Sequence, residues 1–205
     1  MFYDPRVSNP PAELIHNPFP ALIAPRPIAW VSSIGQRGQV NLAPYSHFNI
    51  VAVDPPMVMF APAAKDTLGT PKDTLRNVTE VPEFVVNIVS YDHRELMNLT
   101  SKVHDYGVSE FETAGLATAP CVNVRPPRVA RCRAALECLV WKIVELPRGP
   151  LGRRAHVVVG EVVGIHVDPS IVSVGRVQAT LLQQLARLGH LEYSAVFDTF
   201  EMPRP

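Results

Sequence analysis

One stretch of the sequence concentrates side chains able to recognise a flat polar molecule. It runs Pro25-Arg26-Pro27-Ile28-Ala29-Trp30-Val31-Ser32-Ser33, passes a turn carrying Gly35 and Gly38, and continues as Asn41-Leu42-Ala43-Pro44-Tyr45-Ser46-His47-Phe48-Asn49 and then Asp54-Pro55-Pro56-Met57-Val58. The first piece reads as a strand that leaves two hydroxyls before a turn. The second reads as a loop presenting serine, aromatic and asparagine side chains. Hydrogen-bond donors and acceptors set beside an apolar wall suit a planar heteroaromatic ligand.

Absences narrow the chemistry further. The sequence has no G-x-G-x-x-G after a strand, no G-x-x-x-x-G-K-S/T, no H-E-x-x-H and no G-x-S-x-G. Rossmann-type dinucleotide binding, P-loop hydrolysis, zincin chemistry and the hydrolase elbow thus lose their usual anchors. The seven histidines (His16, His47, His93, His104, His156, His166, His190) are scattered. His156 and His166, ten apart, would meet only through tertiary structure, and no metal site is expected. Cys121, Cys132 and Cys138 are odd in number and lack C-x-x-C spacing, so they read as core or partly buried thiols rather than a disulfide framework or a zinc ribbon.

The elements that must position these groups follow from apolar runs bounded by Gly, Pro or Asp. Strands are expected over 28–34, 57–61, 84–89, 134–146 and 157–167. Along 131–146, Arg131, Arg133, Glu137 and Glu145 share one parity, while Cys132, Ala134, Leu136, Cys138, Val140 and Val144 share the other. This predicts a wet and a dry face, with Leu139, Trp141 and Ile143 covered at the strand's centre by a helix or a second subunit. From Cys121 to Ala155 there are seven Arg and one Lys against two Glu, which reads as the solvated edge of an antiparallel sheet in preference to an anion patch. Asp73 is placed to cap a helix over 74–80, and Asp92 one over 93–103. A third helix is expected over 179–188, ended by Gly189.

Proline is abundant, 21 of 205 residues, well above the ordinary share of ~5%, which favours many short elements joined by ordered loops. Lys+Arg and Asp+Glu both total 19, for a formal net charge of +0. No large positive field is available for nucleic acid. At 47% hydrophobic and 19% charged residues the chain is too apolar to be disordered, and no run has the ~18 apolar residues of a membrane span. The first residues lack the apolar core of a secretory signal, so a cytoplasmic protein is expected. The length suits one domain, residues 1–205, with proline-rich extensions at both ends.

The sequence resembles the flavin reductase-like family of FMN-binding split-barrel proteins. The resemblance rests on PRPIAWVSS, NLAPYSHFN with the following DPPMV, KDTLRN, EFVVNIV, SEFETAGL, and LARLG with Tyr193 after it, in the family's order from about residue 18 to 195. It implies a mainly β fold with short helices, a six-stranded antiparallel Greek-key split barrel, in a homodimer with the flavin near the subunit interface. It also implies an FMN-dependent oxidoreductase, with NADH or NADPH as transient donor and free flavin, oxygen or a partner oxygenase as acceptor; FAD in place of FMN stays open. A second reading with the same flavin residues is a non-catalytic FMN-binding electron carrier reduced by a protein partner.

Carried onto this chain, the resemblance assigns Trp30, Val31, Ser32 and Ser33 to the flavin lining, and Ser46, His47, Phe48 and Asn49 to the border of the ring. Hydrogen-bond donors there would stabilise negative charge added to the ring. Lys72, Thr74 and Asn77, in Gly69-Thr70-Pro71-Lys72-Asp73-Thr74-Leu75-Arg76-Asn77, match the family's phosphate-binding helix start, where a cation, a hydroxyl and free N–H groups meet an anion. Lys65-Asp66-Thr67 nearly repeats Lys72-Asp73-Thr74 and competes for that role. His47 stands where the family commonly has an aromatic, and Gly189-His190 where a Gly pair is common. Arg187 and Tyr193 match the C-terminal motif near the active site. His47, His190 and Tyr193 are the candidates for a proton donor or stacking group.

Overall fold

The computed structural model describes residues 1–66, 69–148 and 154–204. The β-branched runs extend as their period-two patterning requires and form one antiparallel sheet. Its strands are β1 (Ala29–Ile34), β2 (Val40–Tyr45), β3 (Phe48–Val53), β4 (Pro56–Phe60), β5 (Glu83–Ile88), β6 (Ala134–Glu145) and β7 (His156–Val167). Their order is β2-β1-β5-β6-β7-β4-β3. The sheet therefore holds seven strands where six were expected, and among the described residues it is not a closed barrel. Against the five strands expected from the apolar runs, the two added ones lie in 40–53, most of which reads as a loop in sequence, and both are edge strands. Pro44 is tolerated there because an edge strand needs no ladder bond on its outer side.

Alternation then builds two cores. Val31 and Tyr45 face inward with Phe48, Phe60, Phe84, Val86 and Val158, closed by Leu75 and Val78 of helix α1 (Asp73–Glu80). The rings of Phe60 and Phe84 meet edge-on at 5.2 Å. On the other face, Trp30 and Leu42 pack with Val89, Met97, Phe111 and Leu185. Close packing at the first core explains Gly160, where a Cβ would stand 2.5 Å from Phe84 Cζ.

Helices are shorter than their patterns suggest. Helix α1 is capped by extended Lys72, not by Asp73, whose carboxylate pairs with Lys65 Nζ at 2.6 Å. A 3-10 turn, Tyr91–His93, leads into helix α2 (Arg94–Leu99), and the Asp92 carboxylate accepts from Arg133 Nη2 at 2.5 Å rather than capping. The expected helix 179–188 stops after Ala179–Leu182 at left-handed Gln183, φ 51°. The following residues instead form β8 (Leu185–Arg187), paired with Arg26–Pro27 and with β9 (Tyr193–Ala195). Burial of Leu185 against the outer core and the ladder bonds override helical propensity there.

β6 departs from its expected wet face. Glu137 is fully buried, accepting from the N–H groups of Val122 at 2.8 Å and Asn123 at 2.6 Å and lying 2.5 Å from His166 Nε2. Leu139 and Trp141, expected to be covered, are exposed. The expected sheet edge is corrected too: β6 is the central strand of the seven, and of the arginines of this region Arg125 pairs with Glu83 and Arg133 with Asp92, while Arg128 Nε is buried without a hydrogen-bond partner; Arg153 lies outside the described residues.

Gly160→Ala is expected to lower stability by about 1–3 kcal/mol, because the added methyl overpacks against Phe84 and β6. Urea unfolding followed by circular dichroism measures this; an unchanged midpoint would contradict the packing at β7.

Candidate functional site

Period two points Asn41, Ala43 and Tyr45 of β2 toward the start of α1. Asn41 Nδ2 donates to Thr74 Oγ1 at 2.9 Å. One turn on, Asn77 Nδ2 donates to Ser33 Oγ at 3.2 Å, and Tyr106 Oη donates to Asn77 Oδ1 at 3.0 Å. The chain passes this knot at Gly35, where a Cβ would stand 2.5 Å from Tyr106 Oη. A small cavity of about 120 Å³ opens between β2 and the helix start, lined by Asn41, Tyr45, Lys65, Lys72, Thr74 and His104 among others.

The electrostatics of this cavity favour an anion. The first-turn N–H groups of a helix have no intrahelical partner, and its N-terminus carries a positive partial charge. Lys65 neutralises Asp73, and Lys72 adds its own charge at the cap position. The buried Tyr45 hydroxyl, next to Thr74, makes no hydrogen bond of normal geometry, and burial pushes its pKa up. It remains a donor at any ordinary pH. Burial also raises the Glu110 carboxyl, although Leu42 N–H donates to it at 2.9 Å.

The structure divides the residues nominated from sequence into three groups. Ser33, Lys72, Thr74 and Asn77 converge at the start of α1. Trp30 and Ser32 point to the opposite sheet face and are fully buried. Trp30 Nε1 donates to Thr100 Oγ1 at 2.8 Å, and Ser32 Oγ donates to the Pro127 carbonyl at 2.5 Å. Val31 packs inside the inner core. Alternation forces this split, since neighbouring residues of one strand cannot share a face.

The second group is the turn Ser46-His47 with Phe48 and Asn49 at the start of β3. Phe48 is a core residue; half-buried Ser46 and exposed His47 and Asn49 stand at the surface. Asn49 opens onto an apolar groove lined by Ile50, Val53, Met57 and Ile165. Partial burial of the ring and the nearby Arg26 hold the His47 imidazole below its ordinary pKa. The third group lies on the small sheet. The Arg187 guanidinium sits 4.5 Å from the centre of the Tyr193 ring and donates to Tyr193 Oη and to the His190 carbonyl. Arg187 and Tyr193 line a separate cavity of about 440 Å³ with Tyr91, Arg94 and Phe197, while the His190 ring packs 4.3 Å from His16.

Sequence reasoning missed Asn41, Tyr45 and Tyr106 as partners of this site. It also posed Lys65 and Lys72 as rivals, whereas both line the same cavity. Their near-repeat was a usable signal; Thr67, in the upstream copy, lies outside the described residues.

The family model for the flavin reductase like domain matches residues 23–179, most of the chain. The chain belongs to this family. It is 36% identical over 177 residues to an uncharacterised protein of Aquifex aeolicus, covering 86% of this chain and 87% of that one. Its structure is similar to nitrilotriacetate monooxygenase component B from Bacillus cereus, with a TM-score of 0.89 and 30% identity over 98% of each chain. It is also similar to 2-nitrobenzoate 2-nitroreductase of Pseudomonas fluorescens, with a TM-score of 0.79, 31% identity, and coverage of 91% of this chain and 88% of that one. The matched span contains the first two groups of residues and ends before Arg187, His190 and Tyr193.

His47 is expected to titrate below the ordinary value of 6.5. The folded state then binds the proton less tightly than the unfolded chain, so this residue's contribution to stability falls as pH drops through 6.5 toward the folded value. The midpoint of its ring-proton NMR titration tests this, and a midpoint at or above 6.5 would contradict it.

Proposed function

We propose that the protein is an FMN-dependent oxidoreductase, an NAD(P)H:flavin reductase of the flavin reductase-like family. The observation that carries this reading is the cavity at the start of α1, where Lys65, Lys72 and Lys102, the Thr74 hydroxyl and free N–H groups meet the polar edge of β2. The residues fit FMN: an anion-selective corner suits the phosphate, and the unpartnered Tyr45 hydroxyl has a donor to offer. When bound, FMN supplies the capacity to take a hydride from a reduced nicotinamide and to pass electrons on.

The chain's own residues bind and orient. Lys72, Thr74 and the first-turn N–H groups would hold the phosphate, with Lys65 keeping Asp73 from opposing it. Ser46, Asn49 and the backbone of the β2–β3 turn would edge the ring, and neutral His47 would border it without adding charge. Trp30 and Ser32 would act indirectly, by fixing β1 from its far face. Proximity and orientation account for most of the rate in a step that needs no nucleophile. With no Rossmann fingerprint, the nicotinamide donor would be held weakly, by stacking and arginine contacts.

Assembly follows the same reading. Ile50, Val53 and Ile165, which line the apolar groove beside Asn49, are 62%, 79% and 65% exposed, and exposed apolar residues gathered in one groove favour a partner. We take the partner to be a second copy, with the flavin near the interface of a cytoplasmic homodimer and a partner oxygenase as one destination for electrons. No described helix is long and apolar enough to cross a membrane.

Lys72→Ala is expected to weaken FMN roughly tenfold and riboflavin hardly at all, as loss of one charge-assisted contact to phosphate would. Asn49→Ala should weaken both. Equilibrium titration of each flavin decides, and equal losses in the Lys72 variant would refute the phosphate role. The activity itself is read from the visible spectrum of the FMN-loaded protein under anaerobic NADH and then NADPH. Prompt bleaching by either is the expected result; a spectrum unchanged by both would favour an electron carrier served by a protein partner.

A further inference from the structure

Away from the flavin cavity, three side chains from distant parts of the chain meet under the outer face of the sheet. Cys121 lies in the loop before β6, Glu137 on β6 and His166 on β7. Their donor atoms, one sulfur, one oxygen and one nitrogen, all lie within 4.8 Å of one another. The irregular pairing of β6 and β7 between Val162 and Gly164 sets Gly164 opposite Glu137. A Cβ on Gly164 would stand 3.1 Å from Glu137 Cδ, so the bare glycine gives the carboxylate room that a side chain would crowd. Val85, Val124, Ala135 and Val163 pack with Cys121 around the cluster, making its surroundings apolar.

We propose that Cys121, Glu137 and His166 bind one divalent zinc-class cation, with a fourth coordination position open to solvent or a further ligand. The donor set combines a soft thiolate with an imidazole and a carboxylate, which suits Zn²⁺ and disfavours all-oxygen ions such as Mg²⁺ or Ca²⁺. Zinc bonds of about 2.0–2.3 Å require donors less than ~4.5 Å apart. Metal binding would draw the three donors, now within 4.8 Å of one another, to that spacing. The N–H groups of Val122 and Asn123 already hold the Glu137 carboxylate, an outer layer of the kind that orients metal ligands.

Without metal, the cluster is closed by protons. Glu137 Oε1 lies 2.5 Å from His166 Nε2. Burial and the neighbouring Glu137 push the Cys121 thiol up to about 12, so it stays protonated and inert. Burial also raises the Glu137 carboxyl, but the Val122 N–H, His166 and the Asn123 N–H outweigh it and hold the group below its usual range, ready to ligate. A cation would displace the thiol proton to solvent as the thiolate ligates. Entry is available through the His166 side chain, 26% exposed, whereas that of Glu137 is only 1% exposed.

The test uses the full-length protein with its flavin, stripped by chelator and dialysed against Zn²⁺ at micromolar free concentration, with bound metal counted by elemental analysis. One zinc per chain is expected, lowered at least tenfold in affinity by Cys121→Ser and by His166→Gln. Cobalt is the second readout: the difference between Co²⁺-loaded and metal-free protein cancels the flavin and should show a thiolate-to-cobalt charge-transfer band, absent in Cys121→Ser. Circular dichroism confirms that Cys121→Ser, a change at a partly exposed residue, remains folded, so the test stands without the histidine variant. A wild-type protein that binds no zinc at these concentrations, or zinc retained by Cys121→Ser without a wild-type charge-transfer band, would overturn the proposal.

Discussion

Only Ser46 and His47 separate the strand at one edge of the sheet from the strand at the other. Two intervening residues span about 10 Å at full extension, so the edges approach each other at that end. The sheet must therefore curl, and the curl turns a flat ladder into a cup. The stack of Tyr45, Phe60 and Phe84 fills the cup, and α1 is seated on it by Leu75 and Val78. The helix start and the polar edge of β2 come together as a result.

Buried polar groups make this arrangement specific. Asn87 Nδ2 donates to the Trp30 carbonyl at 3.0 Å, while Asn87 Oδ1 accepts from Val129 N–H at 2.7 Å, tying β1 and β5 to the strand segment at Arg128–Val129. Asn77 does the same between β1 and Tyr106. An unsatisfied buried group costs about 1–3 kcal/mol, so a slipped register would orphan several at once. Apolar contacts supply the drive to collapse, and these amides select one pairing.

Part of this was legible in the sequence. Runs such as Phe84 to Val89 and Val157 to Val167 announce central strands because β-branched residues tolerate burial on both faces. The edge strands hide, since Asn41, Pro44 and Ser46 carry turn chemistry that only an edge position accommodates. Motifs located the flavin-family segments but not the face each side chain takes: Ser33 reaches the helix start, while Ser32, one residue earlier, reaches Pro127. The helix expected over 179–188 failed because β8 found ladder partners about 160 residues away, which no local window reveals. Cys121, Glu137 and His166 were likewise invisible together, because an irregularity in the β6–β7 register decides that they meet.

The pairing of β4 with β7 joins Val58 to Gly160. Loop closure over some hundred residues carries an entropic cost that must be met before the contact rewards it, and topologies rich in such contacts fold slowly. During synthesis the β3–β4 hairpin is complete early, yet the second edge of β4 has no ladder partner until residues 156–167 leave the ribosome. For that interval Met57 and Phe60 lie on an unsheltered ladder, a template for pairing with another nascent chain. The architecture that brings the two sheet edges together thus makes the last strand of the sheet the gatekeeper of its first half.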